Sequence, residues 1–147
     1  MSAIELARWI RARRSGLRVI DVRTASEFRI FHIPGAESVA LEALAQTRFG
    51  RDETIVLYSE VGIHGAQAWV FLRALGHRRV FFLRGGLHEW LDDVMSPTIA
   101  ADAPREALAA FTEIAGLSRW FGGTPRWIDR AAPASEGGAR RVRGRGC

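Results

Sequence analysis

Thr54-Ile55-Val56-Leu57-Tyr58-Ser59-Glu60-Val61-Gly62-Ile63-His64-Gly65 is the stretch on which the fold turns. Its first five residues are uncharged and mostly β-branched or aromatic, which predicts a buried strand. Ser59–His64 then read as a loop containing Gly62, and Gly65–Leu75 as an apolar helix closed by Gly76. The same order recurs on both sides. Upstream, Leu17–Val22 is a short apolar run, followed by Thr24-Ala25-Ser26-Glu27, a capping box that starts a short helix. Downstream, Arg79–Leu83 reads as a strand, Gly85-Gly86 as a turn and Leu87–Val94 as a short helix. Strands alternating with helices at this spacing predict an α/β fold of three layers, a mostly parallel central sheet with helices on both faces. Ligands of such sheets sit at the carboxyl ends of the strands. The Ser59 loop is at one of those ends.

The remaining segments fit around this unit. Ser2-Ala3-Ile4-Glu5 is a second capping box, and Ile4, Leu6, Ala7 and Ile10 form a stripe that continues to Arg14, with Gly16 as the stop. Ile33-Pro34-Gly35-Ala36 is a turn, Ser38–Leu41 a brief strand and Leu41–Phe49 a helix. Residues 1–96 are therefore expected to form one domain. Pro97 to Pro104 reads as a linker, and Arg105–Phe121 as a helix that Gly122-Gly123-Thr124-Pro125 breaks. Residues 97–130 are expected to pack on the domain as a helical extension. Residues 131–147, rich in Gly, Arg, Ala and Ser, are expected to be a disordered tail.

Composition narrows the function classes. The chain has 147 residues, 48% hydrophobic and 25% charged, which suits one domain with a real core. No apolar run approaches the length of a membrane span, and Met1–Glu5 lacks the charged-then-apolar order of a signal peptide. One cysteine, Cys147, excludes an internal disulfide framework and a cysteine-rich metal site. The cytoplasm is the expected compartment, and no metal or organic cofactor is implied. Net charge is +5, and all 21 basic residues are arginine. Four of them, Arg140, Arg141, Arg143 and Arg145, stand in the last 17 residues against a single acid, Glu136. Such a tail attracts nucleic acid or acidic partners weakly and without sequence preference. It holds no aromatic residue, so base stacking has no support there.

Three segments together resemble the rhodanese-like family. The first is Asp21-Val22-Arg23 with Glu27-Phe28 and His32-Ile33-Pro34-Gly35-Ala36. The second is Tyr58 to Gly65, standing where the family has its active-site loop. The third is Leu83-Arg84-Gly85-Gly86-Leu87 ending at Glu89-Trp90. Their order and spacing agree over roughly residues 2–94. The resemblance implies an activity in which a cysteine takes a sulfane sulfur from a donor such as thiosulfate and passes it to a thiophilic acceptor. It places that nucleophile at Ser59, and it makes Ser59, Glu60, Val61, Gly62, Ile63 and His64 an anion-binding loop whose amides point inward at a helix start.

The serine at this position removes the family's chemistry. A thiol in such a cradle is activated by a lowered pKa, whereas a serine hydroxyl is a weak nucleophile without an adjacent base. An oxygen, moreover, forms no persulfide. Two further departures point the same way. His64 stands where related sequences often carry arginine, and Glu60 sets a carboxylate beside the anion pocket unless its side chain points to solvent. Ser59 and His64, five apart in one tight loop, are not expected to form a hydrolytic pair, and there is no Gly-x-Ser-x-Gly elbow. Asp21 and Arg23 are read as holding the strand end by hydrogen bonds, and His32 as capping its turn or supporting the pocket. His77 and His88 are read as surface residues, Trp69 and Trp90 as core.

Two features lie outside the resemblance. Cys147 is an incidental terminal residue or a thiol that carries sulfur. A 17-residue coil has a span of roughly 22 Å, enough to reach much of the domain, and Arg143 and Arg145 would lower the thiol pKa. The second is the cluster of Trp120, Phe121 and Trp127 with Arg119 and Arg126, which either packs the extra helix down or forms an exposed binding patch. The expected function is a rhodanese-like module that lacks ordinary sulfurtransferase activity and binds a protein partner or small anion. The alternative is an active sulfurtransferase or persulfide carrier using Cys147 or a partner's cysteine.

Overall fold

Strand β3 (Thr54–Tyr58) is buried at every position and lies inside a four-stranded sheet. The computed structural model describes residues 1–129; the tail and Cys147 lie outside the described residues. Strands β1 (Leu17–Asp21), β2 (Ala36–Ser38) and β4 (Val80–Phe82) complete the sheet in the order β2-β1-β3-β4. Every pairing is parallel, with Val19 beside both Ala36 and Val56 and Leu57 beside Phe82. A parallel strand covered on two faces needs apolar residues at successive positions, and β3 supplies them. Val56 and Tyr58 enter one core, while Ile55 and Leu57 enter the other.

The first core is closed by α1 (Ala3–Arg11), α4 (Gly86–Trp90) and α5 (Arg105–Trp120), through Leu6, Leu87, Trp90 and Leu117. The second is closed by α3 (Ile63–Ala74) through Ala68 and Leu72, and by a 3-10 helix (Leu41–Gln46) through Leu44. Helix α2 (Ala25–Ile30) buries no residue and is fixed by its ends. Thr24 and Glu27 make both halves of the capping box there. At Ser2 only one half forms. Ser2 Oγ accepts the Glu5 amide at 3.2 Å, and the neighbouring Ala3 amide donates to Glu89 Oε1 at 3.0 Å.

Several boundaries differ from the sequence pattern. Helix α1 stops at Arg11, because Arg13 turns left-handed (φ 48°) before Gly16 is reached. The brief strand begins at Ala36, earlier than the pattern placed it, and the segment after Leu41 tightens to a 3-10 helix. The helix after Gly85 changes to a π-helical turn over Leu91–Met95. The expected linker contains β5 (Thr98–Ala100), which pairs in parallel with β6 (Arg126–Ile128). Three-residue strands are too short to show a period, and their pairing is set by α5 and the Gly122 turn (φ 80°) that returns the chain.

Candidate functional site

Ser59 directly follows β3 at the carboxyl end of the sheet and is 1% exposed. Its Oγ accepts the Gly65 amide at 3.2 Å, so residue 59 sits against the first turn of α3. That helix begins at Ile63, two residues earlier than expected. The loop proper is Ser59 to Gly62, and Ile63 and His64 belong to the helix. The amides of Glu60, Val61, Gly62, Ile63 and His64 donate to no acceptor among the described residues. Three of these amides precede the 12-residue helix and two open it, so N–H groups without acceptors collect at its positive end.

The loop is held from below by the Gly85-Gly86 turn. Leu87 N–H donates to Ser59 O at 2.8 Å and His88 N–H to Glu60 O at 3.2 Å. Gly86 (φ 60°) leaves no room for a side chain, since a Cβ would lie 2.4 Å from Ser59 O. Gly62 (φ 90°) is tighter still, its Cβ position being 2.0 Å from Arg84 O. Both glycines are therefore demanded by close backbone approach as well as by φ.

Asp21 and Arg23 brace the opposite wall. Asp21 is 0% exposed and accepts Arg23 Nε at 3.0 Å and Nη2 at 2.7 Å. Arg23 Nη2 also donates to Phe31 O at 2.8 Å, and Nη1 to Glu60 Oε2 at 3.0 Å. Hydrogen bonds to Asp21 raise the Arg23 pKa further above its ordinary value, so the guanidinium stays charged. Tyr58 closes this corner. Its hydroxyl accepts the Ile33 amide at 3.1 Å, and burial pushes its pKa up. His32 Nδ1 bonds Phe28 O at 2.9 Å, and its ring stacks on Phe28 at 3.9 Å. It lines neither cavity beside the loop.

Glu60 points along the protein surface, tied at one oxygen to Arg23 and at the other to His88 Nε2, 3.0 Å away. Sequence reasoning placed His88 on the surface without a role; its partner is 28 residues away, and no local pattern marks it. His64 makes no hydrogen bond to Ser59 among the described residues, so the geometry offers no Ser–His pair. His64 instead lines a cleft of about 300 Å³ with Arg23, Glu27, Glu42 and Glu60. Hydrogen bonds from the Thr24 hydroxyl and amide hold the Glu27 carboxyl below the usual carboxylate range. An adjoining cavity of about 310 Å³ has a mostly apolar wall of Ile30, Phe31, Leu87 and Leu91. The rim of the loop is thus acidic and greasy, although the chain as a whole is basic. Trp120 and Trp127 lie elsewhere, each about half exposed, with the rings of Phe121 and Phe111 edge-on against them.

The matches to known proteins fit this geometry. The family model for the rhodanese-like domain covers residues 2–93. Over 90 residues the chain is 31% identical to the probable adenylyltransferase/sulfurtransferase MoeZ of Mycobacterium tuberculosis, which covers 58% of this chain and 23% of that protein. It is 28% identical over 142 residues to the thiosulfate sulfurtransferase of Gallus gallus, covering 74% and 49%. The chain thus spans about half or less of the length of these two relatives. Among solved structures, the rhodanese-like domain of the Anabaena Alr3790 protein matches with a TM-score of 0.56 at 28% identity, covering 61% of this chain and 70% of the other. A rhodanese-like domain protein of Staphylococcus aureus shares the fold at a TM-score of 0.57 and 23% identity, covering 63% and 91%. With the three motifs meeting around one loop at the carboxyl end of a parallel sheet, this chain belongs to the rhodanese-like domain family.

Proposed function

We propose that this chain is a rhodanese-like binding module without ordinary thiosulfate sulfurtransferase activity, and that its Ser59 end receives a protein partner. The observation that carries this reading is the oxygen at position 59, buried and hydrogen-bonded where the chemistry needs a thiolate. In the thiosulfate reaction a thiolate attacks the outer sulfur, a sulfur–sulfur bond forms and sulfite leaves. A hydroxyl at the same point has no base within reach and cannot make that bond. Between a free anion and a protein, the surroundings favour the protein. The unpaired amides suit an anion, but the cleft carries three carboxylates, Glu27, Glu42 and Glu60, against the single guanidinium of Arg23, which already pairs with Glu60, and this excess of negative charge opposes an anion entering there. The apolar wall beside them, with Ile30 84% exposed, suits a side chain from a partner.

The test is thiosulfate:cyanide sulfur transfer by wild type, Ser59→Cys and Cys147→Ser. Background activity in wild type and measurable activity in Ser59→Cys is the expected result. A thiol at 59 would meet the Gly65 amide and the α3 N-terminus, which lower its pKa. Wild-type turnover that survives Cys147→Ser would overturn the proposal. A second reading rests on the two sulfurtransferases named among the relatives: the chain carries sulfur on Cys147 or on a partner's cysteine. Wild-type turnover abolished by Cys147→Ser would establish it. Titration with sulfite, followed through the amide resonances of Glu60–His64, decides between anion and partner. Saturable shifts would favour the anion.

A further inference from the structure

The end of the sheet opposite Ser59 carries a second concavity, of about 540 Å³, lined by Phe49, Arg51, Leu75, Gly76, His77 and Arg78. These residues precede β3 and β4 or end α3, so they collect where the parallel strands begin. Among the described residues no carboxylate lines the cavity. The side chains of Arg51 and Arg78 make no hydrogen bond or ion pair among the described residues. Their neighbours are already engaged. Arg73 donates to Arg78 O at 2.7 Å, covering carbonyls past the end of α3, and Arg79 donates to Asp52 O at 3.1 Å. The nearby carboxylate of Glu53 is taken by Arg18 at 3.3 Å and by the Gly50 amide at 2.7 Å. The remaining wall is apolar: Leu75 is 55% exposed, and the Phe49 ring meets the His77 ring edge-on at 5.6 Å.

We infer that this cavity is a binding site for a phosphate ester of nucleotide size, its phosphate held by Arg51 and Arg78 and its organic part set against Phe49 and Leu75. The volume falls within the range of small-molecule sites. Guanidinium groups match phosphate oxygens in pairs, and two with no competing carboxylate leave a charge for a ligand to neutralise. A polynucleotide would need a track of cations. Arg51 and Arg78 are the two arginines that line this pocket, and its other wall is apolar, so the shape suits one compact phosphate ester with an organic part rather than an extended backbone. The site shares no lining residue with the cavities at Ser59, and the inference stands whether or not the proposed function does.

The experiment is calorimetric titration of the full chain with ADP, pyrophosphate, inorganic phosphate and a short single-stranded RNA. ADP is expected to bind saturably and several-fold more tightly than pyrophosphate, because only ADP uses the apolar wall. Arg51→Gln and Arg78→Gln should each weaken ADP by about tenfold or more, the loss of a charge-assisted contact. Neither side chain has a partner among the described residues, so an unchanged thermal midpoint is expected for both variants. Ser59→Ala, and joint replacement of Arg140, Arg141, Arg143 and Arg145 by Gln, should leave ADP binding unchanged. Absence of saturable ADP binding overturns the inference, as does binding indifferent to Arg51 and Arg78 or lost with the tail arginines. Pyrophosphate binding as tight as ADP removes the role of Phe49 and Leu75. RNA binding that depends on Arg51 and Arg78 without ADP binding assigns the surface to nucleic acid instead.

Discussion

The two ends of the sheet are built differently. At the carboxyl ends of the strands, backbone is pressed against backbone: Gly62 and Gly86 have no room for a Cβ, and Asp21 and Arg23 form an ion pair whose side chains are 0% and 6% exposed. At the amino ends the chain turns in open space. Gly76 has nearly the same φ as Gly62, 91° against 90°, yet nothing lies within 4 Å of its Cβ position. The ion pairs there are looser, with Arg18 21% and Glu37 47% exposed. One end fixes a loop in a single geometry; the other leaves arginines standing free. The frame of this loop is set by backbone contacts of its glycines and by the Asp21–Arg23 pair, not by the side chain at position 59.

The contrast can be broken by substitution. The largest effect is expected from Arg23→Ala, about 3–5 kcal/mol of stability in urea unfolding, because Asp21 would be left as an uncompensated buried charge. A loss under about 1 kcal/mol would mean that water reaches Asp21 and that the wall is not rigid. Next comes Gly62→Ala, expected to cost about 2–4 kcal/mol from the left-handed backbone and the clash with Arg84 O together. Gly76→Ala, with the backbone cost alone, should lose only about 1–2 kcal/mol. Equal losses at the two glycines would remove the packing difference between the ends. Arg18→Ala should cost about 1 kcal/mol or less, since its partners are partly solvated.

The smallest effect is one of pH. Hydrogen bonding to Arg18 lowers the Glu37 pKa below its ordinary value. A depressed carboxyl pKa stabilises the fold above the unfolded value, near pH ~4.3, and that contribution is lost as pH falls through the folded value. The stability difference between wild type and Arg18→Ala should therefore narrow below about pH 4. A difference that widens toward acid would place the effect on another group.

Much of the loop end was legible in the residues themselves. The uncharged run Thr54–Tyr58 could only be an inner strand, and Gly62 and Gly86 punctuated the pattern where the backbone needs them. Ser59 could be placed at the carboxyl end of the sheet because it directly follows the strongest strand of the chain. The partners of Glu60 could not be read. Arg23 and His88 are 37 and 28 residues away, and no period relates them. The acidic rim was hidden for the same reason, because Glu27, Glu42 and Glu60 belong to three separate segments of a basic chain. The pairing of β5 with β6 was missed because each strand is three residues long.

Sequence alone determined the layers, the alternation of strands and helices around the four-stranded sheet, and the oxygen at position 59. These depend on local hydrophobic period, turn chemistry and residue identity, all written along the chain. Only the tertiary structure decided where charge accumulates, with carboxylates gathered around the loop and unpaired arginines at the far end. Charge is felt through space, and folding brings together groups whose separation along the chain carries no signal.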